Sequence, residues 1–505
     1  MTDYPAGSRL LAMQKEESGR PTTNEQNESP QQRLSRALQF KTVSAADPDA
    51  TPWPDDFPGF ESFLASAFPL INKNLKREAI GKPGLLYTWS GTDKTLAPLI
   101  LTAHYDVVPA GGAASAGAAR SAGGASAPDT AGTTDTAGAQ PARQAQSAPA
   151  SWVHPPFSGA IADGCIWGRG ALDDKSSLMG IMEAVESLLR EGFSPQRSIM
   201  LAFGGDEEVT GTRGAARIAA HLQSQGVRAA CLIDEGTAVV SDAVSFVKQP
   251  IALIGTAEKG YVDFELSCSG QAGHAAMPAR PSLVGRMARA LRRLERRPFK
   301  ARLLPDTAQF LRALAPGAPS LMRPVLAHPM LFWPLLKMIL SGNPKTDALI
   351  RTTIAPTMLE GSQAPNVLPD KVRAVLNLRL LPGDTIESAR QAIIKKIADP
   401  QINVKILLPE GAGDPVPQSG DNAFLHGLHK IICEHFPDAL AAPYLVTATT
   451  DSKHYRQVAD CILRFLPLPM NKHDLAMIHG VNERIKIDDY LKMINVYMAI
   501  IRNLQ

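Results

Sequence analysis

Five short stretches of the 505-residue chain bring together residue types that do metal chemistry. His104 and Asp106 lie two apart in HYD. On a strand their side chains share a face, so the carboxylate can hydrogen-bond a metal-bound imidazole and fix its tautomer. Asp173 and Asp174 follow Gly168 and Gly170 in GRGALDD, a tight loop leading into a helix, where an aspartate can equally be a cap. Asp206, Glu207 and Glu208 stand side by side in GGDEEVTG. Three adjacent carboxylates repel one another, and a cation relieves them. One glutamate on a metal beside another left free as a base is what metal-assisted hydrolysis needs. Asp234 and Glu235 end CLIDEG, and His479 sits in MIHGVNE. Singly, most of these read as ordinary polar loop residues. Together, two imidazoles and three carboxylates, one of them bridging, would form a dinuclear N/O site. That ligand mixture suits zinc, with cobalt or manganese as substitutes.

Such a site needs elements that hold its parts together. Ala97–Thr102, Ser198–Phe203 and Cys231–Ile233 are short apolar runs, as buried strands are. Helical spacing over Leu178–Leu189 and Gly214–Leu222 alternates with them. This predicts an α/β domain with a mostly parallel sheet, whose strand ends bind ligands. After Gly260 the pattern changes. Tyr261–Ser267 and Arg373–Leu380 alternate like half-exposed strands, Ser282–Arg297 and Thr385–Ile397 read as helices, and Asn403–Leu408 as a further strand. The expected fold is therefore an α/β catalytic domain interrupted by an inserted two-layer α+β domain. Its division is 1–30 a disordered arm, 31–258 catalytic, 259–409 inserted, and 410–505 catalytic again. Within the first catalytic part, residues 110–150 hold 16 Ala, 7 Gly and no Val, Ile, Leu or aromatic residue. Such a segment cannot bury enough apolar area to order itself and is expected to be a disordered surface loop.

The spelling and order of the motifs resemble one family. LTAHYDVVP, GRGALDDK, GDEEVTG, DEG, GHAAMP, NVLP and IHGVNE are similar to the aminoacylase/carboxypeptidase S family of co-catalytic zinc peptidases. WVHPPFSG, TTDSKHY and the stretch Asn343–Thr353 look most like the carboxypeptidase S branch, the Gly-X carboxypeptidases. The resemblance implies that His104, Asp173 and Asp234 hold one zinc and that Asp173, Glu208 and His479 hold the other. Glu235 is the alternative to Asp234. Glu207 would be the general base and Asp106 the partner of His104. The peptide between Asp173 and Asp174 is often cis in this family. His274 would donate to the oxyanion from the other subunit of a homodimer joined through the inserted lid domain. Asn366 and Arg379 match positions near the substrate, and an arginine can grip a carboxylate bidentately. The implied substrate is a short peptide or an N-acyl amino acid, cut beside a free C-terminal carboxylate. An aminopeptidase, a deacylase of a biosynthetic intermediate and a silent binding protein are the alternatives on this fold.

Composition bounds the partners. Apolar residues make up 44 % and charged residues 20 %, the profile of a globular chain. The net charge of +3 asks for no nucleic acid. The basic segment 280–302 has no aromatic platform and reads as a solvated helix face. Five cysteines without a Cys-x-x-Cys pair suit a reducing, cytoplasmic setting. The apolar stretch Met330–Leu340 is too short to span a bilayer. It reads as a buried or lid-lining helix, with no membrane partner.

Overall fold

The computed structural model describes residues 28–44, 56–111, 151–362, 364–407, 412–416 and 419–505. Residues 1–27 of the expected arm and 112–150 of the alanine- and glycine-rich insert lie outside the described residues.

Strands covered on both faces are apolar throughout, and the runs seen in the sequence form them. In chain order come Lys76–Ala79 (β1), Gly84–Trp89 (β2), Leu99–His104 (β3), Ile199–Gly204 (β4), Cys231–Asp234 (β5), Val239–Val240 (β6) and Ile251–Glu258 (β7). Four more strands form a separate sheet: Gly260–Ser269 (β8), Thr353–Glu360 (β9), Lys371–Leu380 (β10) and Asn403–Ile406 (β11). Leu440–Val446 (β12), Ile462–Arg464 (β13) and Pro469–Met470 (β14) then return to the first sheet. Its order is β1-β2-β4-β3-β5-β13-β7-β6-β14, with β12 also pairing β7. The centre, β4-β3-β5-β13, is parallel. Strands of this kind end on one side, so His104, Gly204 and Asp234 finish at a common edge.

Helices cover the sheet. Lys175–Arg190 is buried along nearly its whole length and packs against Ile487–Asn503. The second sheet, ordered β9-β10-β8-β11, has its own core of Val262, Phe264, Leu376 and Leu378 under two helices. One of these is Leu283–Arg296, which the Ser282 side chain caps by accepting from Gly285 N at 3.1 Å. Met287, Ala290 and Leu294 turn inward, and most of its arginines point out, as the solvated-face reading expects. Arg286 pairs with Asp399 at 2.7 Å. A third core joins the two sheets: Ile251 and Ala257 of β7, Ala442 and Leu445 of β12, and Leu381 beyond β10 pack with Phe310, Leu311, Leu314, Leu336 and Leu340.

Two expectations change. The edge strand β9 does not show in the sequence pattern. Pro356 interrupts its alternation and marks a register shift before Met358, which only an edge strand tolerates. Met330–Leu340 is not a covered helix. Leu336 and Leu340 are buried, while Met330, Leu331, Leu335, Met338 and Ile339 are exposed. Hydrophobicity alone does not say which faces find a partner.

Candidate metal centre

Most of the motif residues converge where the parallel strands end. His104 closes β3 and is 1 % exposed. Its Nε2 lies 3.0 Å from Asp173 Oδ1, and its Nδ1 lies 3.1 Å from the Asp106 carbonyl and 3.3 Å from Asp106 Oδ1. The expected imidazole–carboxylate pair thus forms. Asp106 does more: its two carboxylate oxygens accept the backbone N–H groups of Glu207 and Glu208, each at 3.1 Å. One buried carboxylate therefore fixes both the first imidazole and the Glu207–Glu208 turn.

Asp173 sits between two imidazoles. Its Oδ1 faces His104, and its Oδ2 lies 3.1 Å from His479 Nε2. His479 Nε2 is also 2.9 Å from Glu208 Oε1. The Asp173–Asp174 peptide is cis. The loop carrying Asp173 hangs on Glu483, whose Oε1 accepts from Gly170 N at 3.1 Å, Leu172 N at 2.7 Å and Asp173 N at 3.2 Å. Its Oε2 takes a 2.7 Å bond from buried Arg169. Sequence reasoning missed both residues as site builders. The signal was slight: both lie inside motifs already singled out, GRGALDD and IHGVNE, but nothing in the sequence says that they meet.

Asp234 and Glu235 part company. Asp234 ends β5 and is turned inward, accepting from Glu235 N and Ser452 N, both at 2.9 Å. Glu235, one residue on, faces the opposite way and joins His104 and Asp173, with ligand atoms within 4.8 Å of one another. Two further triads meet the same limit: Asp173, Glu208 and His479, and His104, Glu207 and Glu208. The structure brings Glu235, not Asp234, to His104 and Asp173.

The electrostatics are those of a crowded anionic pocket. Burial raises Glu207 well above the usual glutamate range; His104 opposes this, and Glu208 and Asp451 add to it. Burial likewise raises Glu235, reinforced by Asp173 and Asp174. Asp234 is pushed up to about 6, chiefly by burial. Burial lowers the His479 affinity for protons, yet its bonds to Asp173 and Glu208 outweigh it and carry the imidazole to about 11. Asp173 goes the other way: burial would raise it, and the two imidazoles hold it far below the usual range. A carboxylate with one oxygen per imidazole, amid glutamates that cannot comfortably share their charge, fits two divalent cations.

Beside this cluster opens a cavity of about 420 Å³. Asp173, Glu207, Glu208, Glu235 and His479 line one end. Leu172, Ala238, Val240, Leu253, Leu466 and Met470 give it apolar walls, and Lys345 and Lys472 add positive charge.

The three remaining candidates lie elsewhere. His274 and Asn366 are exposed; His274 is on a two-residue ladder of Gly273–His274 with Val367–Leu368, and Asn366 immediately precedes Val367. Ala275 N donates to the Asn366 carbonyl at 3.0 Å. Arg379 lies on β10 over the Tyr261 ring at 4.8 Å, with a buried Nη1 that finds no partner among the described residues. None of the three lines the cavity.

Residues 139–503 match the profile of the family described as Peptidase family M20/M25/M40. The chain is 33 % identical over 475 residues to "Probable carboxypeptidase S-like 2" of Dictyostelium discoideum, covering 94 % of this chain and 84 % of that one. It is 33 % identical over 450 residues to the N-fatty-acyl-amino acid synthase/hydrolase PM20D1 of Xenopus tropicalis, covering 88 % and 80 %. Among solved structures, the M20 family metallo-carboxypeptidase Sso-CP2 of Sulfolobus solfataricus superposes with a TM-score of 0.62 at 17 % identity. That superposition covers 94 % of this chain and 99 % of the other, a likeness of fold.

Proposed function

The chain belongs to the M20/M25/M40 peptidase family and is a metallopeptidase, and from that premise we propose a dizinc carboxypeptidase of short peptides. The observation that carries the proposal is Asp173, with one oxygen toward each of two imidazoles and Glu207 beside them at the cavity. His104, Asp173 and Glu235 would hold one zinc, and Asp173, Glu208 and His479 the other; cobalt or manganese are substitutes with the same donor preferences. When bound, such a pair acidifies water and polarises a carbonyl.

The chain's own residues do the rest. Glu207 takes a proton from the attacking water at its carboxylate and passes it to the leaving nitrogen. Asp106 keeps Glu207 and His104 in register, because it binds the backbone of the one and the ring of the other. Asp234 braces the turn that presents Glu235.

We further propose that the 259–409 domain, with its separate core, joins two subunits. His274 of the partner subunit would then complete the site as an oxyanion donor, with Asn366 beside it; this accounts for both being exposed away from their own cavity. Arg379 is the candidate for the substrate carboxylate, through its unpartnered Nη1. Five free cysteines support a reducing, cytoplasmic setting.

A second reading is favoured by the apolar cavity wall and the name of one relative: an N-acyl-amino-acid hydrolase. Glycyl dipeptides, N-acyl amino acids of increasing chain length and C-terminally amidated peptides, each assayed with added zinc, decide between the readings. Release of the C-terminal residue from the dipeptides supports the first, and a preference rising with acyl length the second. Cleavage of amidated peptides alone would sink both.

A further inference from the structure

The helices between Pro305 and Asp347 leave a large apolar surface uncovered. Leu321 is 88 % exposed, Leu331 74 %, Met338 69 % and Met330 67 %, and Ile339 and Leu335 are exposed as well. The cause is helical geometry. Trp333–Leu340 turns Leu336 and Leu340 into the third core, so Leu335, Met338 and Ile339 are left on its outer side. Single exposed leucines need no account, but Leu335, Met338 and Ile339 stand on one short helix with Met330 and Leu331 just before it, which makes an apolar face.

Charge narrows the occupant. From Thr307 through Thr346 the chain has no Asp or Glu, while Arg312, Arg323, Lys337 and Lys345 are all exposed. An apolar face whose own segment carries exposed cations and no acid matches the headgroup region of an anionic bilayer. A second copy seated here would bring two cation-bearing faces together, so the homodimer proposed above would use another face of the 259–409 domain. We propose that the Leu321–Ile339 surface docks the enzyme on anionic lipid, lying on the bilayer without entering it as a span. The expectation of no membrane partner came from the shortness of this segment, its lysine and proline, and the low net charge; the proposal departs from it.

The position adds a reason. Lys345, at the end of the same excursion, lines the cavity. Phe310 of the excursion stacks edge-on against Tyr444 at 5.5 Å, and Tyr444 lines the cavity too. The docking face and part of the cavity lining thus belong to one excursion of the chain. The inference does not depend on which amide the enzyme cuts.

The test is co-sedimentation of the full chain with vesicles of phosphatidylcholine alone or with about 30 % phosphatidylglycerol, at low and at physiological salt. The expected result is binding to the anionic vesicles that weakens with salt. Lys337→Gln should bind about fivefold less, and the double variant Leu331→Ser/Met338→Ser at least about tenfold less. Failure of the wild type to bind anionic vesicles overturns the proposal, as does equal binding by both variants. Light scattering that shows an oligomer lost in the double variant would also overturn it, assigning the face to a second copy. If the double variant melts lower than the wild type, the wholly surface change Lys337→Gln carries the comparison.

Discussion

At the scale of single residues, the centre is a problem in placing negative charge. Asp173 is comfortable as an anion because two imidazoles flank it; Glu207, Glu208 and Glu235 are raised by burial and then by neighbouring carboxylates, Glu208 acting on Glu207 and Asp173 on the other two. Cations that relieve this crowding need the carboxylates, but Glu207 is needed for protons. Glu207→Gln should therefore keep its zinc, measured by elemental analysis, and lose roughly 10²–10⁴ in turnover. Full activity in that variant would remove Glu207 from the mechanism. Glu235→Ala should lose one of the two bound zincs, whereas Asp234→Asn should retain both; the reverse pattern would return Asp234 to the ligand set. Sequence reasoning left this pair open for a physical reason. Consecutive residues at a strand end point to opposite sides, and which side faces the cavity depends on the neighbouring strands and on Ser452, far away in sequence.

At the scale of elements, Lys259 shows how tightly the two sheets are joined. It sits between β7 and β8, 1 % exposed, and donates to the carbonyls of Ala348 at 3.0 Å and Arg351 at 2.9 Å. Burial, with Arg379 nearby, lowers its ammonium to about 7. In the unfolded chain it titrates near 10.4. Between those values the unfolded chain binds the extra proton, so stability rises with pH by up to about 1.4 kcal/mol per unit. Below about pH 7 both states are protonated and the destabilisation is present in full; above about 10.4 it is gone. Lys259→Met should flatten that slope in unfolding curves between pH 7 and 10, and an unchanged slope would mean the group is solvated after all.

The elements also divide by legibility. Strands β3, β4 and β5 were readable because burial on both faces forces continuous apolar runs. The ladder of β3 continues past Thr102 to His104, where only the small Ala103 marks it, because backbone pairing with Gly204 holds it there. Strand β9 was not readable, since Pro356 breaks its pattern. The uncovered face of Trp333–Leu340 was not readable either, since the sequence reports apolarity and not its partners.

At the scale of the molecule, the site is incomplete within one chain if His274 acts. His274→Ala and Glu207→Gln, each inactive alone, should then regain up to about a quarter of wild-type activity when subunits are mixed, because one site in four is intact on both sides. No recovery after verified exchange would refute a shared site. The alanine- and glycine-rich stretch is expected to bear on neither half. Its two flanks are clasped together: the Trp152 indole N–H donates to the Ala110 carbonyl at 2.8 Å, and Arg169 lies 5.4 Å from that indole ring. Deleting residues 112–148 should leave zinc content and turnover close to wild type. A collapse of either would give the segment a part in the site.

The clasp between Ala110 and Trp152 has one more consequence. That bond holds Ala110 and Trp152 together, and a flexible connection between two fixed points costs only about 0.6 kcal/mol more per doubling of its length. The same doorway is thus an attachment port. A foreign domain whose own ends lie close together can be carried there, just downstream of the first imidazole, while Asp106 and Glu483 go on holding the centre from inside.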